Sequence, residues 1–239
     1  MKSKDEQKVL AATTAIDTLI QKGKIFSGMK IGLGTGSTAI PAVRRLAERI
    51  KDGTLKDIKA VVTSFQTQNE CIELGIPVYT MNDKAIGGHL DLAIDGADEI
   101  DLNSDLIKGG GAALLREKIV AYNSDTFVIV ADESKSVENE GTGFPLPVEI
   151  IGEAMTPVVN ALEKLGAKCT LREGVKKCGP VITDNGNWII DCKWDSPVIP
   201  VALEDEINDI PGVVENGFFT KIHPIVFIAH SDGSVEERE

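Results

Sequence analysis

The sequence predicts an α/β protein in two parts: a larger domain built on a parallel-type sheet with helices on both faces, and a smaller α+β domain. Three observations predict it. From Met29 to Asp132, short continuous apolar runs alternate with amphipathic helical stretches, the pattern of parallel strands buried on both faces. After Ser134 the chain turns rich in glycine and proline over ENEGTGFPLPVEI, a composition suited to an extended connection at a domain boundary. Further on, Asn185-Gly186 stands between two apolar runs, a strong signal for a two-residue hairpin turn.

Taken in order, residues 4–21 read as an amphipathic helix with Val9, Ala12, Ile16, Leu19 and Ile20 on one side and Gly23 ending it. Residues 29–33 are a strand, 34–36 a glycine loop, and the next helix buries Ile40, Val43, Ala47 and Ile50. Ser37 or Thr38 is its expected N-cap, and Pro41 suits the first turn. Strands are expected at 60–64 and 76–79 around a helix through 68–74, then at 90–94 and, after a further helix, at 127–132. In the second part come a helix at 152–165, hairpin strands at 181–183 and 188–192, and a helix through 203–208. The strands GVVENGFF and PIVFIAH fit either domain, and the tail SVEERE is expected to fray.

Chemistry concentrates in DGADEIDLNSDLIKGGGAALLREKIVA, residues 95–121. Asp95 falls at the carboxyl end of a buried strand, where open α/β sheets bind ligands, and Gly96 permits a sharp turn. Asp98, Glu99 and Asp101 complete a carboxylate cluster, and Lys108 precedes Gly109, Gly110 and Gly111. Three glycines bring backbone N–H groups close to a ligand, and a helix expected from Ala112 adds its positive end, which makes an anion or oxyanion cradle. On that helix Leu115, Ile119 and Tyr122 form the apolar stripe, while Glu117 shares a face with Ala113 and Ala121, whose small side chains leave room for a ligand. Each feature alone also fits a solvated loop or surface decoration. Three glycines together cost up to about 1 kcal/mol each relative to alanine, which a chain has little structural reason to accept just before a helix.

The loop at Gly34 to Thr38 misses the GxGxxG dinucleotide pattern, and the strand after it ends without the acid that would hold a ribose hydroxyl. It also lacks the P-loop lysine. What remains is strand, Gly/Thr/Ser loop and helix N-terminus, enough donors for one phosphate.

Composition removes other classes. Among 239 residues, 37 acidic against 25 basic side chains give a net charge of −12, with no basic stripe for nucleic acid or an anionic membrane. No apolar run approaches the roughly 18 residues that span a bilayer, and MKSKDEQKVL has no signal segment, so the expected location is cytoplasmic. Cys71, Cys169, Cys178 and Cys192 show no CxxC pair, and His89, His223 and His230 are scattered, so a zinc or iron site has no support.

The residues laid out above resemble the ribose-5-phosphate isomerase family of the A type. The resemblance rests on GLGTGSTA (32–39), DGADEID (95–101), KGGGAALLREKI (108–119), ADESK (131–135), FPLPVE (144–149), VITDNGN (181–187) and IPGVVENGFF (210–219), in order over nearly the whole length. It implies a Rossmann-like domain over residues 1–138 and 213–239, with a smaller ferredoxin-like α+β domain inserted at 139–212. It implies homodimers or homotetramers, with no metal and no cofactor. It also implies interconversion of ribose 5-phosphate and ribulose 5-phosphate in the non-oxidative pentose phosphate pathway. Glu117, Asp95, Asp98 and Lys108 match the catalytic positions, and Thr35, Gly36, Ser37, Thr38, Gly96, Ala97, Gly109, Gly110, Gly111, Lys135 and Lys8 match the substrate-binding ones. SFQTQNE (64–70) departs from the serine-rich version of many members.

Aldose–ketose conversion moves a proton between C2 and C1, so it needs a base beside a cradle for enediolate charge. Glu117 suits the first role, working best if burial lifts its pKa toward neutrality, and Lys108 with the triglycine amides suits the second. Asp95 would open the furanose ring and shuttle a hydroxyl proton, and Asp98 would orient sugar hydroxyls or Lys108. The competing expectations are a non-catalytic sugar-phosphate sensor, an amino-sugar phosphate deaminase of the same fold, and a metal hydrolase with carboxylate ligands.

Overall fold

A computed structural model describes residues 1–141 and 143–239. Its first elements are α1 (Lys4–Gln21), β1 (Lys30–Leu33), α2 (Gly36–Lys51), β2 (Lys59–Val62), α3 (Phe65–Leu74), β3 (Val78–Tyr79) and β4 (Leu90–Asp95). Then come β5 (Glu99–Ile100), β6 (Leu106–Ile107), α4 (Leu114–Tyr122), β7 (Ser124–Asp132), β8 (Leu146–Ile150), α5 (Met155–Lys164) and β9 (Lys168–Leu171). The last are β10 (Trp188–Lys193), α6 (Pro200–Asn208), β11 (Val213–Asn216), β12 (Phe218–Phe219), β13 (Ile225–Ala229) and β14 (Val235–Arg238). The chain divides into one unit of residues 1–96, 116–135 and 222–239 and a second of 97–115 and 136–221. Residues 97–115 thus pack with the second unit, and the boundary expected after 138 falls after Lys135.

The first unit holds a seven-stranded sheet in the order β14-β13-β7-β4-β1-β2-β3, parallel except for β14. From β1 the chain builds outward through β2 and β3, then returns to lay β4 on the other side of β1. That reversal is the topological switch point at which such sheets bind ligands. The core is mostly aliphatic, with Ile31, Leu33, Leu92, Ile94, Val128, Val130 and Phe227 of the sheet against Ala12, Ile16, Leu19, Val43 and Leu46 of the helices. Helix α1 begins at a capping box, in which Ser3 Oγ accepts from Glu6 N–H and Glu6 Oε2 accepts from Ser3 N–H. Val9, expected on its buried side, is exposed, because Ala11 and Ala15 take the sheet-facing positions. The tail expected to fray is instead β14, whose pairing covers the edge of β13.

The second unit holds a four-stranded antiparallel sheet, β11-β8-β10-β9, and a three-stranded one, β12-β6-β5. Its core joins Leu146, Val148 and Ile150 of β8 to Val158, Leu162, Ile190, Trp194 and Phe218. The stretch read as an exposed or extended connection ends in a buried interior strand; Thr142 within it lies outside the described residues. The turn at Asn185-Gly186 forms, with Gly186 N–H on Thr183 O and Thr183 N–H on Asn187 O, but residues 181–183 do not make a strand. Thr183 Oγ1, Asn185 Nδ2 and Asn187 Nδ2 instead converge on Oε1 of the buried Glu149, so β10 takes β8 and β9 as neighbours. Among the described residues no helix is long and apolar enough to cross a membrane.

Glu140, also in the second unit, is 2% exposed. Burial first, then the charges of Asp101, Asp105 and Glu99, push its carboxyl from 4.5 up to about 9. The folded chain therefore keeps a proton that the unfolded chain releases, so this group makes stability fall as pH rises from about 4.5 to about 9, by up to about 1.4 kcal/mol per pH unit. Glu140→Gln removes that penalty. Its melting temperature is expected to exceed the parent's by a margin that widens across this window, and a margin independent of pH in thermal melts would refute the account.

Candidate active site

In the first unit the candidate residues gather at the carboxyl ends of β1 and β4. Helix α2 starts at Gly36 with Thr35 as N-cap, two or three residues earlier than expected, and no side chain caps it. The reason is that Thr35 Oγ1 joins a hydroxyl cluster instead, 2.6 Å from Thr63 Oγ1 and 2.7 Å from Ser64 Oγ. A helix start without a side-chain cap presents its first-turn N–H groups to an anion, reinforced by the helix dipole. Lys8 Nζ lies 3.2 Å from Ser37 Oγ, a cation beside those donors. Gln66 Oε1 accepts from Gly36 N–H at 3.3 Å, so the SFQTQNE segment touches this loop. Lys135 ends a single 3-10 turn, Glu133–Lys135, directly after β7.

Asp95 is the last residue of β4 and is 3% exposed. Its Oδ1 accepts from Thr35 N–H at 3.1 Å and from Gly96 N–H at 2.8 Å. A Cβ on Gly34 would stand 1.9 Å from that oxygen, so only glycine lets the carboxylate reach the loop.

Helix α4 begins at Leu114 rather than Ala112, because Ala112 is left-handed, with φ 59°, and closes a turn onto Gly109 O. Its inward face carries Leu114, Glu117, Val120 and Ala121, whereas Ile119 of the apolar stripe is 43% exposed. The cause is Gly32 in β1, where a Cβ would lie 2.3 Å from Val120 Cγ1, so the helix sits directly on the strand through that side chain. Glu117 therefore occupies a core-facing position and is 5% exposed, as is Lys118.

In the second unit the pairing of β5 with β6 puts Glu99 opposite Ile107, which makes Asp98 and Lys108 the next residues along the ladder. Asp98 N–H donates to Ile107 O, Lys108 N–H donates to Gly217 O, and Lys108 is 2% exposed with Nζ 5.5 Å from the Phe219 ring centre. Asp98 Oδ2 accepts from Gly110 N–H at 2.7 Å. One amide of the expected triglycine cradle is thus engaged by a carboxylate of the same unit. A Cβ on Gly110 would lie 2.7 Å from Asp98 Oδ1, and Gly109 has φ 100°. The carboxylate cluster separates by role: Glu99 accepts from Gly141 N–H and Phe144 N–H, and Asp101 caps the turn through Asn103 N–H and Asp105 N–H.

One residue that the sequence did not single out, Arg172, also meets the triglycine turn, and a second, Asp191, holds it. Arg172 Nη1 donates to Gly109 O at 3.1 Å and to Gly110 O at 3.0 Å, while its Nε and Nη2 hold Asp191. Nothing local marks a lone arginine some sixty residues downstream. Among the described residues no group of three or more His, Cys, Asp or Glu side chains is arranged to hold a metal.

Comparison with known proteins gives a consistent result. A family model described as ribose 5-phosphate isomerase A (phosphoriboisomerase A) matches residues 59–233. The ribose-5-phosphate isomerase A of Treponema denticola is 64% identical over 93% of this chain and 94% of its own length. That of Treponema pallidum is 53% identical over 97% of this chain and 92% of its own. A solved D-ribose-5-phosphate isomerase in complex with phospho-erythronic acid superimposes with a TM-score of 0.92 at 42% identity, covering 100% of both chains.

Gly34→Ala forces the Asp95 carboxylate off its two backbone donors. The expected cost is about 3 kcal/mol, roughly two hydrogen bonds to a charged group, read by urea unfolding. A variant as stable as the parent would show that the carboxylate is not seated there.

Proposed function

The chain belongs to the ribose 5-phosphate isomerase A family, and from that premise we propose that it interconverts D-ribose 5-phosphate and D-ribulose 5-phosphate through an enediolate. The observation that carries this reading is Glu117, a carboxylate held on the inward face of α4 with only 5% exposure. Turning an acid inward on a helix costs free energy, and a carbon acid as weak as C2 of a sugar requires a base withdrawn from bulk water. In the relative, phospho-erythronic acid carries a phosphate and a carboxylate at opposite ends of a hydroxylated chain. A pentose phosphate enediolate presents the same two charges.

Each step of the reaction finds a candidate. Glu117 takes the C2 proton and returns it to C1. Lys108, with the amides of the triglycine turn, stabilises the enediolate oxygens, each well-oriented donor contributing about 3 to 4 kcal/mol. Gly110 N–H serves indirectly, by fixing Asp98, which orients the sugar hydroxyls. Asp95 keeps one oxygen on Thr35 and Gly96 and uses its carboxylate to open the furanose ring and move the hydroxyl proton. The phosphate is bound by the N-terminus of α2, residues 35–38, with Lys8 and Lys135 supplying positive charge; that remote binding energy positions the reacting carbons. Gly96, Ala97, Gly109 and Gly111 are the remaining candidates for substrate binding. We assign the reaction no metal and no cofactor, the assembly to a homodimer or homotetramer, and the location to the cytoplasm.

Ribulose 5-phosphate formation from ribose 5-phosphate, followed in EDTA, tests the activity and separates it from a carboxylate-metal hydrolase. Glu117→Gln is expected to lower kcat by several orders of magnitude while phosphate binding stays largely intact. Unaltered turnover in that variant would defeat the assignment.

A further inference from the structure

We propose that Arg172, clamped by Asp191, is a positioning residue that sets the peptide planes of the Gly109–Gly111 turn and, through them, the Asp98 carboxylate. The proposal rests on the isomerase reading, in which that turn and Asp98 face the sugar. A guanidinium offers five N–H donors in a rigid fork. One edge of the fork is committed to Asp191, whose Oδ2 accepts from Nε at 2.8 Å and whose Oδ1 accepts from Nη2. The remaining nitrogen, Nη1, is thereby aimed at two successive carbonyls, Gly109 O and Gly110 O. Asp191 lies on β10 and pairs across the ladder with Thr170 of β9, two residues before Arg172, so the strand pairing fixes both ends of the clamp.

The consequence follows from peptide geometry. In a trans peptide the C=O and N–H of one unit point in opposite directions, and the described chain has no cis bond. The unit joining Gly109 to Gly110 is held at both ends, its carbonyl by Arg172 and its N–H by Asp98 Oδ2. Cationic donation to the carbonyl polarises the peptide and strengthens the N–H bond to Asp98. The next unit has its carbonyl on the same guanidinium nitrogen, which directs Gly111 N–H the other way. Glycines offer no side chain to hold such a turn, and Gly109 already sits at φ 100°. Within the turn Ala112 N–H closes onto Gly109 O; Arg172 adds a second donor to that carbonyl and a donor to Gly110 O, and so sets both peptide planes. Lysine, with one nitrogen, cannot grip a carboxylate by two edges and cap two carbonyls together.

Four variants decide the matter: Arg172→Gln, Arg172→Lys, Arg172→Ala and Asp191→Asn. Each is assayed for kcat, KM and melting temperature, with the amide of Gly110 followed by NMR. The expected result is a fall in kcat of about 100-fold in Arg172→Gln, the scale of an ångström-sized misplacement, with KM little changed. The Gly110 N–H signal is expected to lose its protection from exchange, Arg172→Lys is expected to restore little of the kcat, and millimolar guanidinium is expected to rescue Arg172→Ala in part. Asp191→Asn keeps the cation and loosens its seating, so it is expected to show a smaller loss in kcat and the same change at Gly110. Should Arg172→Gln not fold, the Asp191→Asn result stands alone as the test. Folded variants with parental kcat, or with an unchanged Gly110 amide, would overturn the proposal. A parent chain inactive on ribose 5-phosphate but with Gly110 responding to the variants would instead overturn the isomerase reading and leave the clamp in place.

Discussion

One carboxylate seated against bare backbone organises the first unit. Asp95 ends β4 next to β1, at the place where the sheet reverses its order, and its Oδ1 is held by the N–H groups of Thr35 and Gly96. Hydrogen bonds to a charged group contribute about 1.5 to 3 kcal/mol each, so this contact ties the end of one strand to the loop of its neighbour. Because that loop becomes the N-terminus of α2, the same carboxylate fixes where the helix begins and which first-turn N–H groups no side chain caps. Gly34 is the condition for all of it, since any side chain there would stand where the carboxylate oxygen stands.

The second unit repeats the device with different parts. Asp98 lies against Gly110 as Asp95 lies against Gly34, and the β5–β6 ladder brings Lys108 level with it. Buried charges are costly, several kcal/mol per ion even after relaxation, and this chain accumulates them: Asp95, Lys108 and Glu117 are each 5% exposed or less. A fold accepts such a cost where groups must act on a ligand, which is why these three residues carry the functional reading. Glu149 is the contrasting case, a fully buried carboxylate whose Oε1 collects donors from Thr183, Asn185 and Asn187 and thereby fixes a turn.

Much of this was legible along the chain. Continuous apolar runs gave the parallel strands because a strand covered on both faces has no polar side to alternate, and LDLAI needed no more than its own residues to mark Asp95 as a strand end. The triglycine turn and the Gly34 to Thr38 loop announced themselves through glycine, whose use there is local. On α4, Glu117 is buried on one face with Ala113 and Ala121, as their spacing implied, but how deeply was not legible, since the contact of Val120 on Gly32 seats the helix and those two residues lie 88 positions apart.

By itself, then, the sequence determined the class of fold, the two-part organisation, the strand that ends in Asp95, and the positions of the glycine-rich turns. These depend on periodicity and on single-residue conformational limits, which operate over a few neighbouring positions. Tertiary structure alone decided the strand order, the capture of residues 97–115 by the second unit, the pairing of the tail as β14, and the grip of Arg172, seated by Asp191, on the triglycine turn. Each of those joins residues separated by long stretches of chain, and such joining is set by which surfaces pack and which ladders pair, quantities no local window contains.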